Sequence, residues 1–262
     1  MIPVVFRLGP IPLYSFGLMM LCCFLSAWNR LYLSLKHKGE SPELAEGMIF
    51  WAAIGGIFGA RINYLFSFPE EFLRDPIRAI FNGAGFVYYG GFIGGVLGVW
   101  WFIRKNAPGK SFLYFADLSA PALALGYAVG RIGCHLSGDG DYGVPTTLAW
   151  GFQYVLGIVP SPAGVFVHPT PIYETLGGLL ITAILLNLQE RKDGFFSKRV
   201  GALFSIYILL SAIARFCVEF VRAEPLREWG LTEAQIVSVI LICLGGVLFV
   251  YSGQKPLVRK NV

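Results

Sequence analysis

The stretch GYAVGRIGCHLSGDGDYG, Gly126–Gly143, begins as the end of an apolar helix and then presents Arg131, His135, Asp139 and Asp141 before its last glycine. From Phe112 up to it the chain is almost wholly apolar, as in a membrane-length helix arriving at the polar boundary of a bilayer. An arginine inside such a span costs about 2.5–3.5 kcal/mol on insertion scales, so Arg131 needs a partner or a ligand.

Outward from this stretch the whole chain has the same character. Its 262 residues are 55% hydrophobic and 14% charged, with mean hydropathy +0.62, a balance that excludes an ordinary soluble domain. Seven apolar segments are expected to span, at about 11–28, 45–67, 85–103, 112–133, 172–188, 200–221 and 234–252. The expected fold is therefore all-α: one polytopic integral membrane domain over 1–262, with seven transmembrane helices and an external loop or cap at 134–171 between spans four and five. The N-terminal run lacks a basic leader with a small-x-small cleavage site and reads as a retained first span. Cys22, Cys23, Cys134, Cys217 and Cys243 show no C-x-x-C spacing, so neither a disulfide framework nor a metal site is expected.

Net charge is +5, but its placement matters more than its size, and no nucleic-acid partner is expected. Thirteen of the 21 Lys and Arg residues fall in loops and the tail on one side of the spans, and five on the other. The longest loop, 134–171, has none. The positive-inside rule then puts the N-terminus outside and the C-terminus in the cytoplasm. Three arginines remain within spans, Arg61, Arg131 and Arg215, and this topology puts them at one outer level with Tyr14, Tyr88, Tyr89, Glu174 and Gln235.

Part of that charge is expected to cancel internally. Arg215, Glu219 and Arg222 are spaced i, i+4, i+7 on one helical face. Setting Arg61, Arg131, Arg215 and Arg222 against Glu174 and Glu219 leaves a positive surplus, which favours an anionic ligand. Guanidinium groups match phosphate oxygens, and a lipid headgroup is the phosphate most available at this depth. Gly90 and Gly91 allow a backbone or a lipid to approach closely. For His135 a solvated loop position and a proton-accepting role are both open. Asp117 reads as structural, and the prolines of HPTPIYE, His168–Glu174, aim Tyr173 and Glu174 inward.

In order along the chain, L-G-P…G-L-M, G-A-R-I-x-Y at Gly59–Tyr64, Y-G-G-x-I-G at Tyr89–Gly94, G-R-I-G at Gly130–Gly133, H-P-x-x-x-Y-E at His168–Glu174 and R-F-x-x-E-F-x-R at Arg215–Arg222 resemble the prolipoprotein diacylglyceryl transferase family. The resemblance covers nearly the whole chain. It implies a multi-pass protein of the bacterial cytoplasmic (inner) membrane whose partners are phosphatidylglycerol, preprolipoprotein signal peptides and the lipid bilayer. The implied reaction moves a diacylglyceryl group to the lipobox cysteine thiol and needs no metal or nucleotide cofactor.

Arg131 and Arg215 match the family's central arginines, assigned to the phosphate, while Arg61, Glu174, Glu219, Arg222, Gly90 and Gly91 are assigned to substrate binding. The chain departs from the family at Tyr89 (histidine in many members), Phe16, Cys134, Asp139 and Ser211. The base is thus left among Tyr89, His135 and Asp139. Other readings stay open: a related phospholipid-dependent transferase with another acceptor, an anion or lipid transporter, and a scaffold whose arginines only close salt bridges.

Overall fold

The computed structural model describes residues 1–76, 88–191, 195–227 and 229–252. It is predominantly helical. Two strands, β1 (Val4–Leu8) and β2 (Ile11–Tyr14), precede α1 (Ser15–His37), α2 (Leu44–Ser67), a short α3 (Pro69–Arg74), α4 (Tyr88–Asn106), α5 (Phe112–Ser137), α6 (Thr170–Glu190), a 3₁₀ turn at Phe195–Ser197, α7 (Ala202–Glu219) and α8 (Glu233–Ser252). Of the seven long helices, six are long and apolar enough to cross a membrane, which makes this a polytopic membrane protein. The helix outside that set is α4, which carries Gly90, Gly91, Gly94, Gly95 and Gly98. Of the loop and tail charges behind the topology, Arg78, Lys192, Lys255, Arg259 and Lys260 lie outside the described residues.

The first expected span begins differently. Ile11–Tyr14 is not helical but pairs with β1, in the register Leu8↔Ile11 and Val4↔Tyr14. Gly9, at φ 60, and Pro10 close the two-residue turn. Glycine in the first central position is what such a tight hairpin turn requires. In a chain so uniformly apolar, the alternation that marks a strand is hidden. The hairpin is tied to the end of α5 by the Ile2 N–H donating to the Leu136 carbonyl at 3.1 Å.

The chain divides into two compact units, 1–30 with 113–262, and 31–112. The smaller unit is built on α2 against α4. A Cβ on Gly59 would collide with the carbonyl oxygen of Gly90, and one on Gly94 with that of Gly55, so the two backbones touch where side chains would normally stand. This is small-residue packing of the kind that brings membrane helices together.

In the larger unit glycines again admit neighbours: a Cβ on Gly133 would lie 2.9 Å from Met19 Cβ, and one on Gly178 2.9 Å from Ala128 Cβ, so α1 and α6 both pack closely on α5. Ala120, Ala124, Ile181, Leu185 and Leu203 form the buried apolar core shared by α5, α6 and α7. Asp117 is structural, as expected: its carboxylate accepts the N–H groups of Gly201 (2.6 Å) and Phe204 (2.8 Å) and so caps the start of α7 from the neighbouring helix α5. Gln235 is also a cap. It and Thr232 exchange side chain to backbone hydrogen bonds (3.0 and 3.2 Å) at the start of α8, a capping box rather than the chamber position expected from its depth.

The loop between α5 and α6 is folded. The Thr146 N–H donates to the Phe166 carbonyl at 2.8 Å, Phe152 and Val167 exchange bonds at 3.0 Å, and the His168 N–H donates to the Val144 carbonyl at 3.1 Å. Tyr154, 1% exposed, is the buried centre of this segment.

Candidate active site

In the larger unit three helices converge on one carboxylate. Glu174, in the first turns of α6, is 4% exposed. Its Oε1 accepts from the Tyr127 hydroxyl (2.6 Å) and Arg215 Nη1 (2.8 Å), while Oε2 lies 3.2 Å from Arg131 Nε and 3.4 Å from Arg222 Nη1. Tyr127 and Arg131 are one turn apart on α5, and the Arg131 guanidinium lies 5.1 Å from the centroid of the Tyr127 ring.

Just past α7, the backbone at Arg222 bridges to Gly143, which brings the Arg222 side chain beneath the loop. There Asp141 joins two guanidiniums, one oxygen on Arg131 Nη1 and the other 2.8 Å from Arg222 Nη2. Burial would lift the Asp141 carboxyl, but Arg131 and Arg222 outweigh it and hold it below the usual carboxylate range.

Glu219 lies beside Arg215 and Arg222: its Oε2 is 3.0 Å from Arg215 Nη2 and 3.6 Å from Arg222 Nε, close in charge but out of hydrogen-bond alignment.

The expected positive surplus is absent from this network. The tally includes neither Asp141 nor Glu224, and both join the network: Arg131, Arg215 and Arg222 meet Glu174, Glu219, Asp141 and, 3.3 Å from Arg222 Nη2, the more exposed Glu224. Mutual neutralisation is what a low-dielectric site demands, because each unpaired ion there costs several kcal/mol. The arginines are nonetheless not sealed: Arg131 and Arg215 keep 17% and 26% of their side chains exposed.

An open cavity of about 870 Å³ is lined by the same three helices, through His135 of α5, Tyr173 of α6 and Cys217 and Val218 of α7, and by Trp150 and His168 from the loop. Of the cavity-lining residues, Val218 and Val221 directly precede Glu219 and Arg222 in the chain.

His135 is not a loop residue. It sits in the last turn of α5, with Nδ1 2.9 Å from the Tyr154 hydroxyl and its ring against Phe152. On the opposite wall the Tyr173 hydroxyl accepts Trp150 Nε1–H at 2.8 Å and meets His168 Nδ1 at 3.1 Å. Asp139 accepts the Asp141 N–H at 3.3 Å, and burial pushes its carboxyl above the ordinary range. Donor atoms of Cys134, Asp139 and Asp141 lie within 4.8 Å of one another, yet both Asp141 oxygens are committed to guanidiniums.

The remaining expected residues belong to the smaller unit. Arg61 is buried on α2 with its guanidinium 5.3 Å from the centroid of the Tyr64 ring. Gly90 and Gly91 meet α2: a Cβ on Gly90 would collide with the Gly59 carbonyl oxygen and one on Gly91 would lie 3.3 Å from that of Gly56, the close backbone approach that glycine allows. Tyr89 lies in the first turn of α4, and its side chain is outside the described residues.

With the geometry in view, comparison with known proteins is decisive. The sequence model of prolipoprotein diacylglyceryl transferase matches residues 3–251. The chain belongs to the prolipoprotein diacylglyceryl transferase family. Proteins named phosphatidylglycerol–prolipoprotein diacylglyceryl transferase are similar to it over most of both chains. That of Trichormus variabilis is 33% identical over 263 residues, covering 97% of this chain and 92% of its own length. The Pseudomonas syringae protein is 33% identical over 266 residues (97% and 93%) and the Clostridium tetani protein 30% over 248 residues (94% and 96%).

At this candidate site, the residues that reading along the sequence left without a role are Tyr127, Asp141 and Tyr154. Tyr127 had a signal, lying four residues before Arg131 and hence on the same helical face. Asp141 stands in the same charged stretch as Arg131, but the folding of the loop sets it on the arginines, and Tyr154 had no signal.

Proposed function

We propose that this protein transfers the diacylglyceryl group of phosphatidylglycerol to the lipobox cysteine of a preprolipoprotein, from the outer leaflet of a bacterial inner membrane. The observation that carries this is the convergence of Arg131, Arg215 and Arg222 on Glu174, with a cavity walled by the same helices, in a chain of this family. The relatives' names supply the two substrates. In this reading all seven long helices span, the N-terminus is outside, the C-terminus is cytoplasmic, and the folded 134–171 loop caps the site externally. The uneven distribution of Lys and Arg supports that topology.

The reaction forms one S–C bond and breaks one C–O bond. The cysteine thiolate attacks the glyceryl carbon that carries the phosphoester, and glycerol phosphate leaves with the bonding electrons. Arg131 and Arg215, the partly exposed guanidiniums, hold the phosphate and stabilise the charge that develops on it. Glu174 and Glu219 fix their direction, and Arg222 completes the phosphate side.

His135 takes the thiol proton at Nε2, a role that requires Nδ1–H to be donated to Tyr154. Its place on the cavity wall supports it over Asp139.

Purified protein given labelled phosphatidylglycerol and a lipobox peptide should yield a thioether-lipidated peptide by mass spectrometry. Arg131→Ala and Arg215→Ala should each lower turnover by about 10²–10³, the scale of losing one preorganised charge donor. His135→Gln should depress the limb of the pH–rate profile that reports the base, and Asp139→Asn should leave that limb in place. Folded protein that leaves the peptide unmodified would reject the assignment.

A further inference from the structure

We propose that Asp141 is a removable counter-ion, whose carboxylate occupies, between Arg131 and Arg222, the position that a phosphoester takes when lipid binds. This rests on the reading of the arginines as a phosphate site.

The geometry is that of a phosphate surrogate. One anionic group offers one oxygen to Arg131 Nη1 and another to Arg222 Nη2, as two oxygens of a phosphate would. The carboxylates of the network differ in how they are held: Glu224 touches only Arg222 Nη2, at 3.3 Å, whereas Asp141 joins two guanidiniums. Side-chain exposure is 2% for Glu174 and 1% for Glu219, but 32% for Asp141. Glu174 is fixed by donors from α5 and α7 and from the chain just past α7, whereas Asp141 faces the open side on a loop.

The backbone of that loop is anchored independently of the carboxylate. Thr170 Oγ1–H donates to the Asp141 carbonyl, and the Gly143 N–H donates to the His168 carbonyl at 2.8 Å. Rotation of one side chain therefore vacates the site while the loop keeps its place.

The local pairing points the same way. With Asp141 seated, Arg131 Nη1 has an anion, and Arg222 Nη2 has one besides Glu224 at the exposed edge. With it swung out, two guanidiniums aim at one spot that a phosphoester can fill. The exchange is anion for anion, so the buried arginines are never left uncompensated. Asp139 next to it disfavours the seated carboxylate when ionised, which eases departure. The lowered proton affinity of Asp141 shows how far the two arginines favour an anion at this point.

The test is equilibrium binding of sn-glycerol 3-phosphate to the purified full-length protein, alongside KM for phosphatidylglycerol, in wild type and Asp141→Asn. The expected result is binding tighter by about tenfold, the scale of one hydrogen bond to a charged group, with KM falling in parallel. Weaker binding, or a raised KM with a lower unfolding temperature, would show that Asp141 only braces the loop, and overturns the proposal. If Asp141→Asn does not fold, Asp141→Ser is read the same way, and failure of both overturns it, since a group that leaves in each cycle is dispensable for folding. Tighter glycerol phosphate binding without any lipid transfer would sustain the counter-ion and refute the transferase reading. Lipid transfer with unchanged binding would do the reverse.

Discussion

The α2–α4 pair and the network on Glu174 are two opposite ways of holding membrane helices together. In the first, side chains are withdrawn: Gly55, Gly59, Gly90 and Gly94 bring backbone against backbone, and each closes on the other's carbonyl. In the second, side chains do everything, with three guanidiniums and a phenol reaching one carboxylate from different elements. A lipid-facing core gains little from burying apolar surface, because the alternative surroundings are equally apolar. Close packing and charge pairing remain. Packing by glycine gives a contact with nothing to rearrange, whereas a charge network can exchange one anion for another. The chemistry we propose is accordingly assigned to the second.

The sharpest way to break that contrast is Glu174→Ala, which leaves buried guanidiniums without their shared anion. Its expected cost is about 3–5 kcal/mol, the usual loss on removing one partner of a buried pair, read as a lower unfolding temperature in detergent. Gly59→Leu attacks the other region. The side chain would meet the Gly90 carbonyl, with an expected loss of about 1–3 kcal/mol by the same measurement. Transfer activity divided by folded protein should fall far more for Glu174→Ala than for Gly59→Leu. Equal falls would erase the distinction.

Asp117→Ala should cost about 1 kcal/mol, the typical worth of a helix N-cap, with hydrogen exchange at Gly201 and Phe204 rising first.

The smallest effect is the pH dependence contributed by Asp141. Its folded carboxyl titrates below the unfolded value, about 3.9, so the stabilisation is complete above that value and fades as pH falls through the folded one. Comparing wild type with Asp141→Asn between pH 3 and pH 6, on the order of the acid limb, should show the difference closing only at the acidic end.

Most of the helices were legible in the residues. Apolar runs place α2, α6, α7 and α8 to within a few residues, because hydropathy records directly what lipid requires of a span. The hairpin was not legible, since its strands are as apolar as the helix they precede and only Gly9-Pro10 marks the turn. At the site, the i, i+4, i+7 spacing of Arg215, Glu219 and Arg222 foretold their pairing. The role of Asp141 was missed because the charge count sets Arg61, Arg131, Arg215 and Arg222 against Glu174 and Glu219 and leaves out the loop carboxylates. A loop carboxylate enters the balance once the loop has folded back.

By itself the sequence determined that this chain lives in a bilayer, which segments are helices, and which family it joins, because composition and short ordered motifs are local properties. Tertiary structure alone decided that Glu174 gathers three arginines, that Asp141 joins two of them, and that Gly90 closes on a neighbouring backbone. Those facts depend on distances between residues far apart in the chain, and charge or contact between such groups exists only when folding brings them within a few ångströms.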